Sequence, residues 1–214
     1  MKKKNSKDQK VVFKKKPISL RLFNAVYPYR KAVISSVFVL LIAGLVIGGW
    51  FSYRDWRSKK AMELLRIAKD GKDYENLVNH YSGTPASAVA MIRLGELKWR
   101  ENQYAQAREI YERFIRVYPK SVLAPFVKNL IGECFLQEKT FAESESVFNS
   151  LLSDSVNNFI HSIVQMNLAR LIAARGDVQK AVEHFKKLKQ DKGKILWRDT
   201  IDGFLRLYEQ SVQK

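Results

Sequence analysis

The sequence predicts an all-α protein, with one N-terminal transmembrane helix followed by a helical-repeat solenoid, on three observations. The 22 residues from Ala32 to Tyr53 carry no charge. The residues before them are strongly basic. The residues after them repeat a pattern of small, aromatic and large apolar side chains every 37 positions. Composition agrees: with 46% apolar residues, the 214-residue chain can fill a core. Five Pro and ten Gly exclude a collagenous or Pro/Gly-rich disordered chain. The single Cys134 excludes an intrachain disulfide framework and any Cys-based zinc site.

The first element, residues 1–31, is a basic tail expected in the cytoplasm. It holds eleven Lys and Arg against Asp8, so +10 of the formal +17 resides there. The charge is therefore mostly a tail property, which weakens a nucleic-acid reading of the whole chain. Residues 1–16 read as disordered. From Pro17 to Pro28, Ile18, Leu20, Leu22, Phe23 and Val26 could lie on the inner leaflet beside Arg21 and Lys31, or form a plain linker.

The second element, residues 32–53, is the predicted transmembrane helix. At 1.5 Å per residue it spans roughly 30 Å, the thickness of a bilayer's hydrocarbon core. Trp50, Tyr53 and Trp56 stand at its far end, where amphipathic rings favour the headgroup layer. A soluble helix of six turns would show a polar face, and this one has only isolated serines, Ser35 and Ser36 among them. A cleaved signal peptide would have a shorter apolar stretch and a small-residue exit; an uncleaved signal anchor fits better. Cationic flanks resist translocation, so the N-terminus is expected inside and the C-terminal part outside, periplasmic in a bacterium. A lone cysteine suits such a compartment, because it forms no internal bridge. Gly44 and Gly48 form a G-x-x-x-G pair that admits a second helix, from a homodimer or a membrane partner; chance glycine content is the competing reading.

The third element, residues 54–214, is the repeat domain. Tyr104, Phe141 and Val178 keep the 37-residue interval, as do Leu94, Ile131 and Leu168. So do Gly95, Gly132 and Ala169, and Ala107, Ser144 and Ala181. Four copies run through Tyr74, Tyr111, Phe148 and Phe185, and four through Leu77, Phe114, Leu151 and Leu188. The register describes pairs of packed helices. Small residues on each helix permit close approach, and the aromatic and the apolar residue three positions on fill the space between pairs. One pair cannot cover its own apolar face, so pairs stack. The helices are expected at 88–101 with 104–117, 125–138 with 141–153, and 160–175 with 178–190. An incomplete pair (56–69 continuing from the span, then 74–81) precedes them, and a cap at 195–210 follows. Breaks are expected at Gly71, Ser82 to Pro85, Tyr118-Pro119, Gly176-Asp177 and near Gly193.

The stretch from Ala88 to Pro119 resembles a tetratricopeptide repeat. Leu94-Gly95, Ala107, Tyr111 and Pro119 fall where that family places its leucine-glycine, alanine, aromatic and proline. Lys98 departs from the usual aromatic, Val156 replaces the terminal proline in a later copy, and the interval exceeds the family's period of about 34. The resemblance implies a binding groove lined by the first helices. Its positions here are Ile92, Glu96, Trp99 and Arg100 in the first complete pair, Asn129, Glu133 and Gln137 in the second, and Met166 and Arg170 in the third. Plain solvated helix faces are the competing reading. Some cytosolic members grip an acidic peptide terminus with Lys, Arg and Asn, where this chain has Glu96 and Glu133. The implied ligand is instead a segment of mixed apolar and basic character, with Trp99, Ile92 and Met166 offering apolar contact.

No phosphate loop, nucleophile elbow, zincin or dinucleotide motif is present. His80, His161 and His184 show no ligand spacing, and Cys134 reads as a small buried hydrophobe. No enzymatic activity, cofactor or metal is expected. The layout of tail, span and repeats resembles a bacterial family that accompanies the protein-secretion translocon, with a related repeat domain in a cell-division coordinator. That resemblance implies an inner-membrane adaptor serving protein translocation or periplasmic chaperone hand-off. The rival readings are an envelope-assembly or cell-division scaffold, binding of anionic lipid or nucleic acid by the tail, and an inverted topology.

Overall fold

The structure is a computed structural model that describes residues 29–153, 160–190 and 197–212. The basic tail before Tyr29, the segment from Pro17 to Pro28, Val156, Gly193 and Ile195 lie outside the described residues. The chain divides into two compact units, one ending at Arg54 and one from Asp55 onward. Among the described residues all regular structure is helical.

Helix α1, Arg30–Ile67, runs 38 residues without a break. Its stretch Ile34–Ile67 is long and apolar enough to cross a membrane, and no residue of its most apolar window is buried. The two serines near its start are satisfied locally: Ser35 Oγ and Ser36 Oγ each donate to Ala32 O at 2.9 Å. Such back-bonding removes the need for water or a neighbouring chain. Gly44, Gly48 and Gly49 have no other group near where a Cβ would sit.

In the second unit, Ala61 of α1 is buried with Leu77 and Val78 of α2, Gly71–His80. Arg57 holds the turn after α2, donating from Nη2 to His80 O at 2.8 Å and from Nη1 to Ser82 O at 3.1 Å. Three complete pairs follow: α3 (Pro85–Arg100) with α4 (Tyr104–Val117), α5 (Ala124–Gln137) with α6 (Phe141–Ser153), and α7 (His161–Ala174) with α8 (Val178–Gln190). Helix α9, Arg198–Val212, packs on α8 as the cap. From α2 onward each helix packs on the next in sequence, which gives the solenoid. The expected boundaries hold within about three residues, a normal margin for helix ends. Gly71 is a correction: it starts α2 rather than breaking the chain, because Asp70 caps that helix by accepting the Asp73 N–H at 3.0 Å. Thr84 does the same for α3 at 3.2 Å, with Pro85 in the first turn, where no N–H is missed.

The 37-residue register is a packing register. Tyr111, Phe148 and Phe185 are buried to within 1% on the second helices, and Phe114, Leu151 and Leu188 are buried one turn on. The Tyr111 and Phe148 rings lie against the small residue of the partner helix. A Cβ on Gly95 would stand 2.6 Å from Tyr111 Cζ, and one on Gly132 would stand 2.5 Å from Phe148 Cε1. Neither ring has room to retreat in a packed interior. Ala107, Ser144 and Ala181 are fully buried opposite, and the Ser144 hydroxyl donates to Gly132 O at 2.8 Å.

The turn inside each complete pair is built identically. Asn102, Lys139 and Gly176 occupy the left-handed region, with φ of 60°, 60° and 100°. The following N–H reaches back to Lys98, Phe135 and Ile172, closing the helix end with the 6→1 bond of a Schellman turn. Asn and Gly tolerate this conformation; lysine does so at a cost.

Charged side chains tie one pair to the next. Arg108 of α4 meets Glu138 after α5 at 3.2 Å, also contacting Glu112 at 3.1 Å and lying over the Phe135 ring. One period later the signs are exchanged: Glu145 of α6 meets Arg175 after α7 at 2.6 Å.

Replacing Gly132 by Ala should cost about 1–3 kcal/mol by overpacking against Phe148. Thermal unfolding in detergent would read this as a lower Tm. The double substitution Gly132→Ala with Phe148→Leu should cost less than the sum of the single ones, since the smaller side chain relieves the clash. Additive costs would mean that the ring and the glycine are not in contact.

Candidate protein-binding face

The first helices α5 and α7 lie side by side, and a polar cluster joins them. Glu133 Oε1 accepts from Asn129 Nδ2 at 2.7 Å and from Asn167 Nδ2 at 3.0 Å. Asn167 Nδ2 also donates to Asn129 Oδ1 at 3.0 Å. Arg170 Nη1 donates to Asn167 Oδ1 at 2.7 Å and stands 3.7 Å from Glu133 Oε2. The Arg170 guanidinium also lies over the Phe204 ring of the cap, 5.7 Å from its centre. Three residues expected in the groove, Asn129, Glu133 and Arg170, are thus brought together. Asn167 links them and was not expected. It stands one position beyond the register equivalent of Asn129, which is Met166, so comparison at the 37-residue interval hides the pairing.

The other expected residues separate by depth. Ile92 and Met166 are buried at 9% and 4% exposure, and Asn129 at 1%. Ile92 and Met166 fill the interior, so apolar contact with a ligand falls to other side chains. Glu96, Trp99 and Gln137 are half-buried and Arg100 is exposed. Trp99 packs edge-on against Tyr104 across the turn, with ring centres 5.9 Å apart, and also borders the core. Glu96 pairs with Arg93 at 3.0 Å on the helix surface, a contact worth little in water.

Two recesses open at this face. The first, of about 260 Å³, is lined by Glu96, Trp99, Arg100, Tyr111, Leu130 and Glu133. The second, of about 410 Å³, is lined by Leu136, Gln137, Lys139, Phe141, Arg170, Ala174 and Tyr208. Leu136, Gln137 and Arg170 are one period beyond Trp99, Arg100 and Glu133, so the second recess shares three register positions with the first. A third space, about 400 Å³, lies between α4, α5 and α6, around Ile115, Ile131 and Val147.

Burial, reinforced by Cys134, Glu96 and Glu133, pushes the Tyr111 phenol well above its ordinary range. Burial also pushes the Cys134 thiol up to about 12, with Glu138 and Glu133 adding to the effect. No group of three metal-ligating side chains occurs among the described residues.

Stacked two-helix units with small residues at their crossings and a terminal capping helix define a helical-repeat protein. The tetratricopeptide repeat-like domain family matches residues 28–199, and the chain belongs to that family. No curated protein matches the sequence. Among solved structures, the chain is similar to a Podosopora anserina protein described as a kinesin light chain with nearly identical TPR-like repeats. A single-substitution variant of that protein is 16% identical, with 76% of this chain and 88% of that one covered and a TM-score of 0.50. The unsubstituted form is also 16% identical, covering 76% and 89% with a TM-score of 0.49. Similarity at this identity is one of fold.

The thiol of Cys134 should stay unmodified by a water-soluble disulfide reagent at pH 8 in the folded chain, since only the thiolate reacts. It should react in full after denaturation; a fast native reaction would contradict its burial. Asn167→Leu removes one bond each to Glu133 and Asn129 and the acceptor of Arg170, and should cost about 1–3 kcal/mol, read as a lower Tm.

Proposed function

We propose that the protein is a membrane-anchored, non-enzymatic adaptor that holds protein partners at the face formed by its first helices. The observation that carries this reading is the pair of recesses at the first helices, sharing three register positions, in a family whose repeats generally mediate protein–protein contact. Helix α1 supports the anchor, being exposed along its most apolar stretch. The family match also starts ahead of this helix, at residue 28, so the helix belongs to the shared domain. The ten net positive charges of residues 1–31, ahead of the uncharged run, support a cytoplasmic N-terminus and an extracytoplasmic repeat domain. The layout's resemblance to translocon-associated proteins supports partners in protein translocation or chaperone hand-off.

Protease added to spheroplasts should digest the repeat domain and spare the tail. A repeat domain that survives until the membrane is lysed would invert the topology. A photo-crosslinking amino acid at position 99 in intact membranes, followed by mass spectrometry, should capture translocon subunits or periplasmic chaperones. Capture of division or outer-membrane assembly proteins would favour the scaffold reading instead. For a captured partner, Trp99→Ala should weaken binding by about 1–2 kcal/mol. Unchanged binding would move the contact away from this face, for example to the Ile115, Ile131 and Val147 recess.

A further inference from the structure

The two recesses at the first-helix face share three register positions in consecutive repeats, yet their charge is opposite. The first is lined by two carboxylates, Glu96 and Glu133, against Arg100. The second is lined by two cations, Lys139 and Arg170, and by no carboxylate. We propose that the face binds an extended polypeptide segment of split charge, a basic side chain entering the first recess and an acidic side chain or terminal carboxylate entering the second. The inference rests on the adaptor reading and adds to it the chemistry and direction of the ligand.

Three observations support the assignment. The cluster of Asn129, Glu133, Asn167 and Arg170 lies between the recesses and engages one Arg170 nitrogen, Nη1, with Glu133 and Asn167. Glu133 is therefore partly neutralised from the second-recess side, and the acidic character of the first recess rests mainly on Glu96, which meets Arg93 at 3.0 Å on the helix surface. In the second recess, the Gln137 amide and the Tyr208 hydroxyl supply hydrogen-bonding groups beside the cations, as recognition of a carboxylate requires. Lys139 is the third. The equivalent turn positions hold Asn102 and Gly176, residues that accept a left-handed backbone, whereas Lys139 keeps φ at 60° with a full side chain. Turn geometry favours glycine there, and lysine brings a cation to the recess wall. Neighbouring packed helices stand about 8–10 Å apart. An extended ligand advances roughly 7 Å in two residues and returns its side chains to one face only at even spacing, so its opposite charges stand two residues apart.

The test uses the full chain in detergent and four fluorescein-labelled peptides on one apolar, Ser-rich background. They carry two Lys, two Glu, Lys two residues before Glu, or Glu two residues before Lys. Fluorescence anisotropy should show one mixed-charge order binding about tenfold tighter than either uniform peptide, and tighter than the reversed order. Lys139→Gly should raise Tm by relieving the turn while erasing the advantage of the mixed peptide over the all-Lys peptide. Glu96→Gln should erase its advantage over the all-Glu peptide. A mixed-charge preference that survives both substitutions, with binding still weakened by Trp99→Ala, overturns the split-charge inference and leaves the adaptor face intact. Peptide binding that ignores Trp99→Ala, Lys139→Gly and Glu96→Gln alike, or no binding of any peptide, overturns both. If Lys139→Gly changes the mass measured by light scattering and leaves peptide affinities flat, the second recess takes another copy of the chain and the inference fails.

Discussion

Everything in the repeat domain depends on an aromatic ring that must press directly against a neighbouring backbone. Tyr111 and Phe148 leave no room for a Cβ at Gly95 and Gly132, so the two helices of a pair meet at one crossing point. That crossing sets which residues of the first helix turn inward and which remain at the surface. Ile92 and Met166 go inward; Glu96, Trp99, Glu133 and Arg170 line the face. The floor of the first recess is Tyr111 itself, so the ring that fixes the fold also forms the base of the candidate site. A ligand there rests on a rigid element rather than on a loop, and rigidity lowers the ordering cost of binding.

The fold was legible because its determinants recur in register. Small and aromatic side chains at Gly95 and Tyr111 return at Gly132 and Phe148, and the helix ends fall at Pro, Gly and the capping residues Asp70 and Thr84. The face was legible only in part. A periodic comparison finds residues that do the same work in every copy, and binding surfaces are built from those that do not. Asn167 escaped because it bonds to Asn129 across a 38-residue offset. Glu133 read as a second acid beside Glu96, because nothing local to it announces Arg170. The αL lysine at position 139 has no signature either: its neighbours resemble any polar turn, and only the backbone angle sets it apart.

Burial of polar groups at this face also narrows what the cluster can be. Asn129 and Asn167 are nearly inaccessible, and their amides are spent on each other, on Glu133 and on Arg170. A buried amide pair is costly unless satisfied, and satisfied it holds two helices in one relative position. The cluster therefore acts as a spacer between α5 and α7, and the accessible chemistry lies on either side of it.

The exchanged ion pairs bear on how such a gene can change. Repeat arrays grow and shrink when recombination slips by one unit. Excision of one 37-residue unit here would set Arg108 opposite Arg175, and duplication of the middle unit would set Glu145 opposite Glu138. Each accident exchanges an attraction for a repulsion between half-buried groups at a junction that every copy needs. The three pairs are thus labelled in order by the sign of their contacts, and an array with one unit more or fewer starts life less stable than its parent.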